Sequence, residues 1–199
     1  MKKVLTLVVI LGLFTNMAYG SGFQLNEHGA RAMAMAGAFT GLANDPSAIY
    51  FNPAGITQLK GTQFLVGATL IMPISSYTSQ APAFNQTDMV SQVFNPINFY
   101  VTHQFSEKLA VGLGINNQYG LGTKWDPNWA GRYLAVETKV ETFFFTPVLA
   151  YKLMDNLSVS AGPVIALGTV KISKKSPNAV SPLYPDFFTE MNGTSDAAV

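Results

Sequence analysis

The chain contains no cysteine. That excludes a disulfide scaffold, thiol chemistry and a lipid-modified N-terminal cysteine. Charge is also scarce, at 12% of residues where about a quarter is usual for a soluble domain. With a net charge of +1 and no basic run, there is no field for nucleic acid or an acidic partner. Beyond Ser21, no apolar stretch approaches the ~18–20 residues of a transmembrane helix. Histidine occurs twice, at His28 and His103, and neither has metal-ligand spacing to a partner. No G-x-S-x-G motif is present. These absences leave little room for a cofactor, a metal site or catalysis, and we expect none of the three.

The chain is instead rich in apolar residues, 48% of the total. Lys2 and Lys3, the apolar run Val4 to Phe14 and the small-x-small triplet Ala18-Tyr19-Gly20 form a secretion signal over residues 1–20. A membrane anchor is the alternative, but the apolar run is too short to span and breaks at Asn16. The exported part is then either a soluble periplasmic β domain or an outer-membrane barrel, and periodicity has to choose.

Asn95 to Phe105 alternates, with Ile97, Phe99, Val101 and Phe105 against Asn98, Tyr100, Thr102 and Gln104. Leu157 to Lys171 repeats the pattern, as does the row Phe143, Phe145, Leu149 and Tyr151, in which Phe144 and Val148 are exceptions on the opposite face. Thr62 to Met72 and Ala110 to Tyr119 supply two more strands. The turns Ser106-Glu107-Lys108 and Met154-Asp155-Asn156 are short, while Pro73 to Gln92 and Gly120 to Arg132 are long. Transmembrane barrels sort their loops in this way. The second face carries Gly, Ser, Thr, Asn, Gln and Tyr in place of the Lys and Glu of a solvated sheet, as an enclosed polar lumen requires. Glu137, Lys139 and Glu141 precede the Phe143 row and are expected above the membrane, because a charge at mid-bilayer costs ~2–4 kcal/mol.

The reading is therefore all-β: a transmembrane antiparallel β-barrel over residues 61–199, ending in an extracellular loop. Five strands cannot close, since bacterial single-chain barrels use an even number, about eight at the fewest. We expect the N-terminal part of a longer, monomeric barrel in the outer membrane of a Gram-negative bacterium.

Residues 21–60 differ in character. Asn26 is placed to cap a helix from Glu27 to about Ala43, a small-residue stretch that includes Gly37-x-x-x-Gly41. Asp45-Pro46 and Asn52-Pro53 read as two further helix starts, each a polar cap followed by proline at the first helical position. On physical grounds this compact unit is equally a plug in the lumen or a helical turn on the periplasmic face.

Four stretches bear on that choice: SGFQLNEHGARAMAMAGAF (Ser21 to Phe39), NPAGITQL (Asn52 to Leu59), NNQYGLGTKW (Asn116 to Trp125) and AGPVIALGTVKIS (Ala161 to Ser173). Together they resemble the FadL-type (OMPP1/FadL/TodX) long-chain fatty acid and hydrophobic-compound transporters of the outer membrane. The resemblance implies a barrel of about fourteen strands, in keeping with the even count, with an N-terminal hatch in its lumen. It places Asn52, Pro53 and Ala54 in the hatch, and Gly22 and Phe23 in a mobile N-terminus near the binding pocket. It also implies that the third strand bends inward to open the wall. Its counterpart is Ala110 to Tyr119, where Gly112 and Gly114 either permit the bend or make room for the hatch. An apolar capture groove in the outer loops is implied as well. Leu183, Tyr184, Phe187 and Phe188, in the loop after the fifth strand, either supply it or pack among themselves.

The implied activity is passive, hatch-gated uptake of long-chain fatty acids or similar molecules, with lateral exit into outer-membrane lipid. The same fold carrying aromatic hydrocarbons, or an ordinary polar-solute porin, are the alternatives. A hydrolase site around Asp45–Ser47 and His28 has no motif behind it; His28 reads as a hatch surface or capping residue.

Overall fold

The computed structural model describes residues 24–80, 82–178 and 184–198. The secretion signal, Gly22, Phe23 and Leu183 lie outside them. The described strands are β1 (Thr62–Ala68), β2 (Ser76–Thr78), β3 (Gln86–Asp88), β4 (Ile97–Gln104), β5 (Leu109–Asn116), β6 (Gly122–Lys124), β7 (Glu137–Met154), β8 (Leu157–Ala161), β9 (Ile165–Ser176) and β10 (Phe187–Thr194). Eight of them form one antiparallel sheet in the order β1-β4-β5-β7-β9-β10, with β6 and β8 also paired to β7. The short strands β2 and β3 make a separate hairpin inside the long connection after β1.

β5 and β6 are two halves of one crossing strand, and so are β8 and β9, because each pair borders the same 18-residue β7. A tilted transmembrane strand needs only about 9–11 residues. β7 therefore runs well past the hydrocarbon, and its Glu137–Glu141 end carries the charges that the apolar rows lack.

The two faces separate as the alternation requires. On β1, Phe64 and Val66 are 75% and 70% exposed, whereas Tyr100, Thr102, Asn98 and Asn116 on the opposite face of β4 and β5 are buried. What buries them is the N-terminal unit. Tyr100, Ala110, Val148 and Ala150 form one apolar cluster with Ala32, Phe39, Ala43, Ala48, Ile49, Ile56 and Leu59. Val148, an exception to the polar inner row, is apolar because it lies under this unit. Phe144, the other exception, meets Tyr119 with ring centroids 5.9 Å apart.

The structure corrects three expectations. The helix anticipated from Glu27 to Ala43 is a short one, α1 (Ala30–Ala34), preceded by Gly29 and without a side-chain cap from Asn26. It ends in a Schellman motif: the Gly37 N–H donates to Ala32 O at 2.9 Å and the Ala36 N–H to Met33 O at 2.9 Å, with Ala36 left-handed at φ 52°. Glycine usually fills that position. An alanine there gives no local signal that the helix stops.

The second correction concerns the chain after Lys171, which is not all loop. β9 continues to Ser176 and β10 pairs along it from Phe187↔Ser176 to Thr194↔Thr169. Phe187 and Phe188 thus belong to a strand, where consecutive side chains point to opposite faces and cannot share one patch. Tyr184 stays in the connection, 65% exposed. Third, Leu157 to Lys171 is interrupted between Ala161 and Ile165.

Candidate functional site: an N-terminal hatch against an interrupted wall

Two proline corners shape the hatch. Asp45 Oδ1 accepts hydrogen bonds from the Ser47 N–H (2.8 Å) and Ser47 Oγ (2.6 Å), while the Ala48 N–H donates to Asp45 O. Asp45 thus holds a tight turn ahead of α2 (Ala48–Phe51), whose N-cap residue is Ser47 and has no side-chain cap. Pro53 then opens a 3₁₀ helix, Pro53–Gln58, in which Asn52 makes no side-chain cap. The Asn52 amide donates instead to Thr40 O at 3.0 Å, stapling this corner to the preceding turn. Within the same helix Gly55 lies so close to Ala43 that a Cβ would sit 2.5 Å from the Ala43 Cβ. Asn52, Pro53 and Ala54 form a stiff corner, held by the Asn52 side chain on Thr40 O and by the close approach of the following Gly55 to Ala43.

Polar contacts tie the hatch to the sheet. Thr57 Oγ1 lies 2.9 Å from Ser158 Oγ on β8, and the Gln104 amide of β4 donates to Thr57 O. Asn98 Nδ2 donates to Glu27 O, and the Leu25 N–H donates to Gln118 O at 2.8 Å. His28 is buried with its ring 3.9 Å from that of Tyr50, and burial holds its pKa below the usual value. Ser47 Oγ is engaged by Asp45. These residues are used in packing.

Gly112 and Gly114 stand in unbroken ladder on both sides, from Gln104↔Ala110 to Asn98↔Asn116 on β4 and from Leu109↔Tyr151 to Asn116↔Phe144 on β7. Neither ladder shifts register at them. Their missing side chains make room for Ile49, whose Cδ1 would lie 2.7 Å from a Cβ on Gly112 and whose Cγ2 would lie 2.8 Å from one on Gly114.

The third strand does leave its ladder, further along. β5 ends at Asn116↔Phe144 and β6 resumes at Gly122↔Lys139, six steps on one strand against five on the other. An extra residue of this kind makes a bulge and bends the strand. Polar side chains replace the lost backbone bonds: Asn117 Nδ2 donates to Thr142 O on β7, Asn117 Oδ1 accepts from the Ile97 N–H at the start of β4, and Thr142 Oγ1 donates to Tyr119 O. Leu121 is left-handed, at φ 82°.

The interruption leaves a cavity of about 490 Å³. Its lining runs from Leu25 of the hatch past Phe94, Ile97 and Leu121 to Phe143. Glu141 and Thr142, which alternate across the sheet, both border it. The gap is thus lined from both faces of the wall. Its outer end carries Lys139 ion-paired to Glu141 at 2.7 Å and Lys171 to Glu137 at 3.3 Å. Asn117, Thr142, Leu121 and Leu25 were not singled out from sequence. The available signal was the polar run Asn116-Asn117-Gln118 closing an otherwise alternating strand.

An apolar outer face and a polar inner face packed against a short helical unit define part of an outer-membrane β-barrel. The chain belongs to the family described as outer membrane protein transport protein (OMPP1/FadL/TodX), whose pattern matches residues 11–198. It is 30% identical over 136 residues to the 47 kDa outer membrane protein of Pasteurella multocida (strain Pm70), covering 68% of this chain and 32% of that one. It is 26% identical over 171 residues to the long-chain fatty acid transport protein of Escherichia coli (strain K12), covering 84% and 38%. The crystal structure of a Pseudomonas aeruginosa FadL homologue superimposes with a TM-score of 0.52 at 24% identity, over 76% of this chain and 42% of that one. The chain spans less than half the length of these relatives. Its place is the outer membrane of a Gram-negative cell.

Proposed function

We propose that this chain forms the hatch and first wall segments of a channel for passive uptake of long-chain fatty acids or similar hydrophobic molecules. Ligand is captured outside, passes into a lumen pocket, and leaves sideways into the bilayer when the hatch shifts. The observation that carries this reading is the gap at residues 117–121, bordered by Leu25 of the hatch on one side and by the lipid-facing row on the other. A fatty acyl chain gains ~0.8 kcal/mol per buried CH₂, so about sixteen carbons gain on the order of 12 kcal/mol on leaving water. A side exit follows that gradient throughout and needs no energy coupling. The contact from Leu25 N–H to Gln118 O gives the hatch a direct hold on the segment that opens the wall.

Gly120 is the place to test it, since a Cβ there would meet Leu25 Cδ1 at 3.4 Å. In the complete protein, Gly120→Trp fills the gap from within. Uptake of labelled hexadecanoate by cells relying on this protein should fall steeply, while planar-bilayer conductance stays near its closed level. Unchanged uptake refutes an exit through the gap at 117–121. Competition by toluene at the same site would shift the substrate class to aromatic hydrocarbons, and a large steady current would favour a polar-solute pore.

A further inference from the structure

A second interruption lies in the wall two strands on. Phe145 pairs with Ile165 and Leu149 pairs with Ala161, but no pairing joins Thr146–Val148 to Gly162–Val164. The register is the same on both sides of the break, so Pro147 stands directly opposite Pro163. The Pro147 carbonyl points across this seam, because a Cβ on Gly162 would collide with its oxygen. In an antiparallel pair, a residue whose C=O faces its neighbour turns its N–H the same way. This rung should therefore carry two N–H···O bonds, and proline supplies neither donor. Between the flanking rungs the wall runs four residues, roughly 13 Å at about 3.3 Å per residue, with no ladder hydrogen bond. The strands stay close only through the bare backbone of Gly162.

Behind the seam sits a chamber of about 580 Å³, bordered by Tyr50, Phe51 and Pro53 of the hatch and by Val148, Gly162 and Val164 of the wall. Of the segment 117–121 only Gln118 borders it, and Gln118 does not line the first cavity; the two cavities have no lining residue in common. In front of the seam the outward row is apolar, with Leu149, Val159 and Leu167 all exposed. Opening a barrel wall elsewhere breaks ladder bonds in a medium that offers no replacement. Opening it here breaks none.

We propose that the Pro147–Pro163 rung is a second side door, through which an apolar molecule held beside Tyr50, Phe51 and Pro53 reaches the lipid independently of the gap at 117–121. The proposal rests on the transport reading above and adds a separate route to it. Its position also couples it to the hatch, since Pro53 borders the chamber while Thr57 is bonded to Ser158 just below the seam.

A reversible test uses the complete protein, with any cysteine outside these 199 residues replaced by serine. Thr146→Cys with Val164→Cys places two thiols at directly opposed lumen-facing positions, where a non-hydrogen-bonded pair brings the Cα atoms to about 4.5 Å, within disulfide range. Oxidation latches the seam and dithiothreitol releases it in the same folded molecules. Initial uptake of labelled hexadecanoate should fall on oxidation and recover on reduction, most clearly in the Gly120→Trp background, where the other route is filled. Pro147→Val with Pro163→Val restores both donors, and two added hydrogen bonds should lower uptake through the seam by roughly tenfold. Equal uptake by the oxidised and reduced forms, with Gly120→Trp alone abolishing transport, overturns the second door and leaves the transport reading intact. No uptake by the unmodified protein overturns both.

Discussion

Ile49 of the hatch fills the space that a side chain on Gly112 of the wall would need, its Cδ1 lying 2.7 Å from where that Cβ would be. The same side chain crowds Gly114. Hatch and wall are thus fitted by the absence of two side chains, and several consequences can be measured.

Gly112→Val should push Ile49 outward and loosen the hatch without unfolding the barrel, because both neighbouring ladders are regular. Overpacking of this kind costs about 1–3 kcal/mol. Faster proteolysis between residues 40 and 60, with unchanged barrel heat-modifiability on gels, is the expected result. Ile49→Ala in the same background should restore protection.

Ser158→Ala removes the hydroxyl that Thr57 Oγ1 meets at 2.9 Å and leaves in place both the Gln104 amide bond to Thr57 O and the Thr57 hydroxyl bond to Ala54 O. The loss should be about 1 kcal/mol, the worth of one ordinary hydrogen bond. Amide exchange over residues 53–58 should speed up several-fold (about 1 kcal/mol at most) while β4 and β8 keep their protection.

Asn117→Ala should be more damaging than its exposure suggests. Its amide serves the Ile97 N–H and Thr142 O at once, on the two strands flanking the gap. Each orphaned backbone group costs about 1–3 kcal/mol when buried. Yield of folded barrel in the outer membrane should drop, and Asn117→Gln should not fully rescue it, since the bond lengths leave no room for another methylene.

The His28 pKa is lowered, chiefly by burial. A histidine whose folded pKa lies below its unfolded value binds more protons when unfolded, so protonation favours release. The hatch is therefore at full stability above the unfolded value of 6.5 and loosens as pH falls from there toward the lowered folded value. Hatch amide exchange should accelerate on acidification below that point. His28→Phe, which keeps the ring against Tyr50, should flatten the response. An identical pH profile in the variant would show that other groups govern it.

The crossing strands were legible wherever alternation is local. Ile97–Gln104 and Leu109–Asn116 emerge within three residues of the spans their patterns mark, because lipid on one side and a packed lumen on the other impose period two. The short α1 was not legible, since Ala36 occupies a left-handed position that composition assigns to glycine. β10 was missed because Thr189, Glu190, Asn192 and Gly193 dilute its apolar residues; it forms by pairing with β9.

By itself, the sequence determined that the exported chain meets lipid with one row of side chains and a polar interior with the other, and that two proline corners stiffen the segment before the first strand. Each of these follows from a residue and its near neighbours. Only the tertiary structure decided where the wall is interrupted and what the glycines are for. A gap in a ladder is a property of two strands in register, as between Asn116 and Gly122 against β7 or between Pro147 and Pro163. The space beside Gly112 belongs to Ile49, 63 residues away.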